Sequence, residues 1–142
     1  MNKISKLLLS VAAVALAGCS SMPDWMPGSG AMKVNLTGGE EVPALSVPGT
    51  GNGSFRVASD GTITGSITTK DVQGTMAHIH RGAKGQNGPI VVPLDKNGDT
   101  YTVPAGRKLT PQQMDDLKAG NLYVNVHTNR NKGGEVRGQL AP

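Results

Sequence analysis

Hydrophobic and polar residues alternate with a period of two in several short segments of the chain. In the first segment, 32–37, Met32, Val34 and Leu36 alternate with polar residues. Because successive side chains of a β-strand point to opposite faces, this alternation predicts a strand with one buried face. Similar patterns occupy 51–57, 63–67, 75–80, 122–128 and 135–140, and an apolar run covers 90–94. About seven short strands in about 110 residues are typical of an antiparallel β-sandwich.

The second and third segments are close enough to form a hairpin, and their register depends on the turn between them. A two-residue turn would place Val57 opposite a polar residue, whereas a three-residue loop, 59–61, pairs Val57 with Ile63 on one face. We therefore expect the longer loop, with Gly61 in the left-handed conformation of a G1 bulge.

One short helix is predicted between the apolar run at 90–94 and the segment 122–128. Thr110 is a suitable N-cap, Pro111 suits the first helical position, and Gln113 completes a capping box. Gly120 then ends the helix after about two turns.

Composition limits the classes of protein that this chain can form. Its 142 residues suit one domain, and its 20 glycines and 9 prolines predict many turns. The single cysteine excludes an intrachain disulfide framework and any multi-cysteine zinc or iron–sulfur site. The formal charge is +4, and loss of Lys3 and Lys6 with a cleaved leader leaves +2, from twelve Lys and Arg against ten Asp and Glu. Nothing in this balance indicates binding to nucleic acid.

The first 18 residues have the three-part pattern of a secretory signal peptide. Lys3 and Lys6 precede an apolar run at 7–16, and small residues follow. The apolar run is too short to remain as a membrane span. The sequence Leu-Ala-Gly-Cys at 16–19 resembles the bacterial lipobox, in which Cys19 becomes the lipidated first residue of the mature protein. The alternative is a secreted protein with a free thiol.

The resemblance to bacterial lipoproteins also predicts where the chain is located. Ser20 follows Cys19, without the aspartate that retains lipoproteins in the inner membrane, which favours the outer membrane facing the periplasm. Residues 19–30 contain Pro23, Pro27 and two glycines and are typical of a flexible tether. We therefore expect a signal peptide at 1–18, a lipidated tether at 19–30 and a folded domain at 31–142.

The three histidines of the chain all fall in predicted strands. By strand parity, His78 and His80 share one face of 75–80, and His127 lies on the face of 122–128 opposite to its aliphatic residues. Residues two apart on a strand lie roughly 6.5 to 7 Å apart and project together, so His78 and His80 can converge on one ion. A third histidine from a neighbouring strand completes a three-nitrogen site with an open position, which suits copper, zinc or iron. The alternative is three polar residues on a solvated face.

The last two predicted strands place further polar residues beside His127. If Val126 pairs with Val136, the outward pairs are His127 with Glu135, Asn125 with Arg137, and Tyr123 with Gln139. Glu135 could then accept a hydrogen bond from the imidazole or act as a fourth ligand, and Asn125 and Tyr123 would support the site. Alternatively, Arg137 neutralises Glu135.

Several of these segments together resemble the CHRD domain, a family named from chordin and common in bacterial secreted proteins. The matching segments are HIHRG at 78–82, Gly85, NGP at 87–89, VVPL at 91–94, YVNVHT at 123–128 and GGEVRGQL at 133–140. The resemblance covers about 32–140.

A looser similarity connects the pattern to copper–zinc superoxide dismutases, which hold copper on the outside of an immunoglobulin-like barrel. The chain lacks their bridging histidine, second ligand set and paired cysteines, so the resemblance implies one metal at most. It implies an all-β, antiparallel immunoglobulin-like or superoxide-dismutase-like Greek-key sandwich with one short helix.

Two functions follow from these resemblances, because fold alone does not determine function. In the first, an envelope lipoprotein holds one transition metal, copper or iron in preference to zinc, and dismutes superoxide. Arg81, Arg130 or Arg137 would attract the anion, and parity favours Arg137 over Arg81. In the second, the domain is a non-catalytic binding or metal-buffering module, comparable to the matrix-interaction role suggested for chordin-type domains. The membrane is a partner through Cys19, and the sequence identifies no protein partner.

Two pairs of neighbouring carboxylates are further candidates for chemistry. Asp115 and Asp116 lie on the predicted helix, where capping or solubility is the favoured role. Glu40 and Glu41 lie in a loop flanked by prolines, where exposure to solvent is favoured over a role in a site.

Overall fold

The computed structural model describes residues 30–142. The predicted signal peptide and all of the predicted tether except Gly30 lie outside the described residues. The strands are β1 (Met32–Thr37), β2 (Thr50–Val57), β3 (Ile63–Lys70), β4 (Gly74–Arg81), β5 (Ile90–Asn97), β6 (Thr100–Thr102), β7 (Leu122–Thr128) and β8 (Val136–Leu140). One helix, α1 (Pro111–Lys118), and one 3-10 turn, Gly38–Glu40, complete the described elements.

The eight strands form a closed antiparallel barrel in the order β1-β2-β3-β6-β5-β4-β7-β8. The prediction of an all-β antiparallel domain with one short helix is confirmed. A single barrel stands where the sequence predicted a sandwich, because β1 pairs with both β2 and β8 and so closes the sheet on itself. This order makes β7 the neighbour of both β4 and β8.

Strand β6 was not among the predicted strands, although it joins the two halves of the barrel. It pairs with β3 on one side and with β5 on the other. Only its central residue, Tyr101, is buried, between two threonines. Three residues with one apolar side chain are too few to produce a recognisable alternation.

The β2–β3 hairpin has the predicted register. Val57 pairs with Ile63 and Phe55 pairs with Gly65. Gly61 has a φ of +85°, which confirms the left-handed residue expected in the three-residue loop. The buried face of this hairpin supplies Phe55, Val57, Ile63 and Ile67 to the core.

Helix α1 begins and ends where its capping residues predict. The Thr110 hydroxyl accepts a hydrogen bond from the Gln113 amide at 3.2 Å, and the Gln113 side chain accepts one from the Thr110 amide at 2.9 Å. Pro111 is the first helical residue, and Gly120 follows the helix with a φ of +73°. Leu117 anchors the helix in the hydrophobic core. No helix within residues 30–142 has the length and apolar character needed to cross a membrane.

Alternate residues of β4 and β7 point into the core and out of the barrel. Ala77 and Ile79 of β4 and Val124 and Val126 of β7 are fully buried in the core. Alternate residues therefore project to the outside of the barrel, as parity predicts. All seven residues of β7 are nevertheless buried, because loops cover its outer face.

Candidate metal centre

The three histidines of β4 and β7 come together on the outside of the barrel. One ring nitrogen from each of His78, His80 and His127 lies within 4.8 Å of the other two. The shortest approach is 3.0 Å, between Nδ1 of His78 and Nε2 of His127. His80 and His127 are 7% and 8% exposed, and His78 is half-buried. The predicted convergence of these three residues is confirmed.

Main-chain carbonyls orient two of the three rings. Nδ1 of His80 donates to the Gly88 carbonyl at 2.9 Å, and Nδ1 of His127 donates to the Lys132 carbonyl at 2.8 Å. Because a carbonyl can only accept, each Nδ1 carries the proton and each neutral ring keeps its lone pair on Nε2. Such bonds fix the tautomer and the orientation of a metal-binding imidazole.

The nitrogen atoms that face one another fit a metal ion. Nε2 of His80 is buried and has no hydrogen-bond partner, an arrangement that costs about 1–3 kcal/mol for a polar group. Nδ1 of His78 and Nε2 of His127 are hydrogen-bonded at 3.0 Å, and because His127 carries its proton on Nδ1, Nδ1 of His78 is the donor. A metal ion that displaces the His78 Nδ1 proton would meet three imidazole nitrogens, and three nitrogens with an open fourth position suit copper, zinc or iron.

The surroundings also favour the neutral forms of His78 and His80. Burial lowers the pKa of His78 to about 4, and the charges of His127 and His80 act in the same direction. Burial likewise lowers the pKa of His80, although its hydrogen bond to Gly88 opposes that change. Neutral imidazole is the form that binds metal.

A stack of side chains supports His80 from the side of β8. The Tyr123 ring lies parallel to the His80 ring, with centroids 4.9 Å apart and an angle of 6° between the planes. The guanidinium carbon of Arg137 lies 3.5 Å from the centroid of the Tyr123 ring. Because β7 lies between β4 and β8, His80 and Arg137 approach Tyr123 from opposite sides. The Tyr123 hydroxyl also accepts a hydrogen bond from the Gly88 amide at 3.1 Å, which holds the loop that supports His80.

Two of the three arginines predicted to attract an anion, Arg81 and Arg137, are engaged in other contacts. Arg137 is 1% exposed and donates to the Ala83 carbonyl at 3.1 Å and to Asn87 at 3.3 Å. Arg81 forms an ion pair with Asp116 of α1, with Nε and Oδ2 2.8 Å apart. Arg137 therefore has a structural role next to Tyr123, and Arg81 connects β4 to the helix. Asp116 is buried in that contact, in contrast to the solvent-facing role favoured from the sequence.

Glu135 lies near the site but does not take the place predicted for it. The β7–β8 ladder ends at Val126 and Val136, so Glu135 falls in the loop before β8. Its carboxylate accepts hydrogen bonds from Thr128 at 2.6 Å and from Asn131 at 3.0 Å. The Lys132 carbonyl, instead of Glu135, holds His127.

Glu41 is a buried carboxyl that sequence reasoning placed in solvent. Glu40 keeps partial contact with solvent, since it is half-buried and pairs with the exposed Lys84 at 3.2 Å. Glu41 is only 6% exposed, and its Oε1 has no hydrogen-bond partner. Burial raises its pKa to about 7, although the Arg137 charge and a hydrogen bond from Asn125 act in the opposite direction. No local pattern signalled this burial, because distant parts of the chain produce it.

Asn125 and Gly134 place Glu41 beside the histidine cluster. Asn125 pairs with His78 across β4 and β7, and its amide donates to the Gly133 carbonyl at 3.3 Å. A Cβ at Gly134 would lie 2.5 Å from both the Asn125 amide nitrogen and Oε1 of Glu41. Gly134 has a φ of +132°, so glycine is required here both for its backbone and for the space it leaves. Asn125 thus lies between the buried carboxyl and the histidines.

Comparison with known proteins identifies the family. Searches of curated proteins and of solved structures gave no significant match. The family model of the CHRD domain matches residues 32–140, which include all eight strands, the three histidines and the loops that orient them. The chain therefore belongs to the CHRD domain family.

Proposed function

We propose that this protein is a lipid-anchored protein of the bacterial cell envelope whose CHRD domain binds one transition-metal ion. His78, His80 and His127 are the ligands. The observation that carries the proposal is the convergence of their ring nitrogens within 4.8 Å, with Nε2 of His80 buried and unpartnered. Copper or iron is favoured and zinc is the third choice, and a bound copper or iron ion would supply one-electron chemistry.

The residues around the ligands support binding in a fixed geometry. The carbonyls of Gly88 and Lys132 set the tautomers, and Tyr123 restricts the His80 ring. Loss of such supporting contacts typically weakens metal binding about 10- to 100-fold. Metal binding or buffering needs no more than this arrangement, and it is the function that the geometry supports best.

Metal analysis of the untagged full-length protein tests the proposal. We expect one ion per chain after dialysis against copper, iron or zinc, and loss of that ion in His80→Ala and His127→Ala. Asn52→Ala is the control, since Asn52 is exposed on β2 and pairs with β1 and β3, away from the histidines. Wild-type protein that retains no metal, or histidine variants that retain as much as the control, would contradict the proposal.

Superoxide dismutation is the second candidate function. The strand order supports it, since β7 returns to lie beside β4 after the β4-β5-β6 meander, as in a Greek key. The loop that holds His127 also carries Arg130 and Lys132, both exposed. Positive charge at the mouth of a site attracts an anionic substrate. This candidate needs a metal that changes oxidation state, whereas metal buffering does not.

The proposed location depends on Cys19 and has its own test. We expect wild-type protein to fractionate with membranes and to carry acyl chains on Cys19, because several chains anchor a protein firmly. Cys19→Ser should leave it unprocessed or release it. Ser20→Ala is the matched control and should remain membrane-bound. A processed, soluble wild-type protein with a free Cys19 thiol would contradict this part of the proposal.

A further inference from the structure

The open side of the histidine cluster is bordered by an exposed methionine. Met76 is 50% exposed, and among the described residues only Met76 and Ile90 are large apolar side chains with such exposure. A single exposed apolar side chain is common on protein surfaces, so it is the position of Met76 next to the ligands that matters here.

The register of β4 and β7 places Met76 next to two of the three ligands. Met76, His78 and His80 occupy alternate positions of β4 and so share the outward face. Met76 also pairs directly with His127 on β7. Directly opposite residues of an antiparallel pair have Cβ atoms about 4.5–5.5 Å apart. The flexible methionine side chain therefore starts beside both His78 and His127.

Glu135, which the sequence predicted as a possible fourth ligand, does not compete with Met76 for this position. The Glu135 carboxylate is already bound by Thr128 and Asn131. His78 is the most exposed of the three histidines, so the cluster opens on the side where Met76 lies. A thioether there adds a soft ligand to three imidazoles, and soft thioether ligands select copper(I).

We infer that Met76 is the fourth ligand of the metal site and makes it a copper(I) site. The inference rests on the proposed three-histidine site and assigns its metal and oxidation state. Met76 binds through Sδ, and its exposed side chain can turn toward the ion without movement of the barrel. Zinc binding, by contrast, depends on the three imidazoles alone.

X-ray absorption spectroscopy of the untagged full-length protein, loaded with copper and reduced with ascorbate under anaerobic conditions, tests this assignment. We expect one copper–sulfur contribution in wild type and none in Met76→Leu. Competition with a copper(I) chelator should show affinity weakened about tenfold or more in that variant, whereas zinc affinity should change less than about twofold. Met114→Leu is the matched control, because Met114 lies on α1 and packs against the core.

Each outcome separates this inference from the proposal on which it rests. Copper(I) bound through nitrogen and oxygen alone, with equal copper(I) affinity in wild type and Met76→Leu, would overturn the methionine ligand and leave the three-histidine site intact. A copper–sulfur signal that persists in Met76→Leu would also overturn it, since another methionine would be the source. Wild-type protein that binds neither metal would contradict both.

Discussion

The β2–β3 hairpin and the β4–β7 pair are built on the same alternation of residues but differ in what covers their outer faces. The outward side chains of the hairpin, such as Asn52, Arg56 and Thr64, are exposed to water. Every residue of β7 is buried, so its outward polar groups must find partners within the protein. Oε1 of Glu41, Nε2 of His80 and Oδ1 of Asn125 are buried there without one. The β2–β3 hairpin thus packs on the core with one face and meets solvent with the other. The β4–β7 pair packs on the core with one face and forms the histidine site with the other.

The largest expected effect separates stability from binding. Phe55→Ala removes a fully buried ring from the hairpin and should lower the free energy of unfolding by about 3–5 kcal/mol. Metal stoichiometry of the protein that remains folded should not change. Urea denaturation gives the first quantity and metal analysis the second. Lost metal binding in folded Phe55→Ala protein would show that the two regions are not separable.

The next effect concerns the pH dependence of stability. The pKa of Glu41 is raised from 4.5 to about 7 in the folded protein, so the folded state binds more protons than the unfolded state between these values. The stability contributed by Glu41 is therefore present below about pH 4.5 and is lost as pH rises to about 7. Glu41→Gln should remove this loss and stabilise the metal-free protein at pH 8 by on the order of 2 kcal/mol.

Two other groups, Arg137 and His78, also affect the pH dependence of stability, so the effect of Glu41 must be isolated by comparing variants. Arg137 opposes the raised pKa of Glu41, and the lowered pKa of His78 has the opposite effect on stability in part of the same range. The difference between wild-type and Glu41→Gln denaturation curves from pH 4 to 8 therefore isolates Glu41. Glu40→Gln, at the half-buried neighbour, is the control for the same substitution at an adjacent residue. Parallel wild-type and Glu41→Gln curves would contradict the raised pKa.

A smaller effect is expected from the residue stacked on His80. Tyr123→Leu removes the stack and the bond from the Gly88 amide. Metal affinity should fall about tenfold through looser placement of the His80 ring. Titration calorimetry checks this, with Tyr101→Phe, at the other tyrosine, as the control. Equal affinity in wild type and Tyr123→Leu would show that the Gly88 carbonyl alone positions His80.

The smallest effect tests the second candidate function. If copper- or iron-loaded protein consumes superoxide, the rate should fall as ionic strength rises, because attraction between charges is screened. Arg130→Ala should lower the rate about twofold at low salt and flatten its salt dependence. Arg107→Ala, at an exposed arginine after β6, is the control. A loaded wild-type protein without activity would leave metal binding as the function.

Local signals were sufficient for much of the fold and for the ligands themselves. Strand parity predicted that His78, His80 and His127 face outward, and the pairing of Val126 with Val136 is as predicted. The hairpin register and the helix caps also follow from neighbouring residues, because turn chemistry and side-chain period act over short distances. These features require no knowledge of the loops.

The parts that could not be predicted depend on contacts between distant segments. Closure of the barrel requires β1 to meet β8, and no pattern within either strand reports its partner. Glu41 was predicted to lie in solvent, and Arg137 to attract an anion or neutralise Glu135, yet contacts with distant parts of the chain bury both. The acceptors for His80 and His127 are main-chain carbonyls, which every residue type provides and which therefore leave no signature in the sequence.

The use of main-chain acceptors determines which changes the site can tolerate during evolution. Substitution of Lys132 replaces a side chain but keeps the carbonyl that holds His127. At Gly88 a Cβ would lie 1.7 Å from the Arg81 carbonyl oxygen, so this residue has no such freedom. Insertion or deletion of a residue in 82–88 or 129–135 would instead move a carbonyl away from its imidazole. Loop length, more than loop composition, is therefore what preserves the orientation of the two rings.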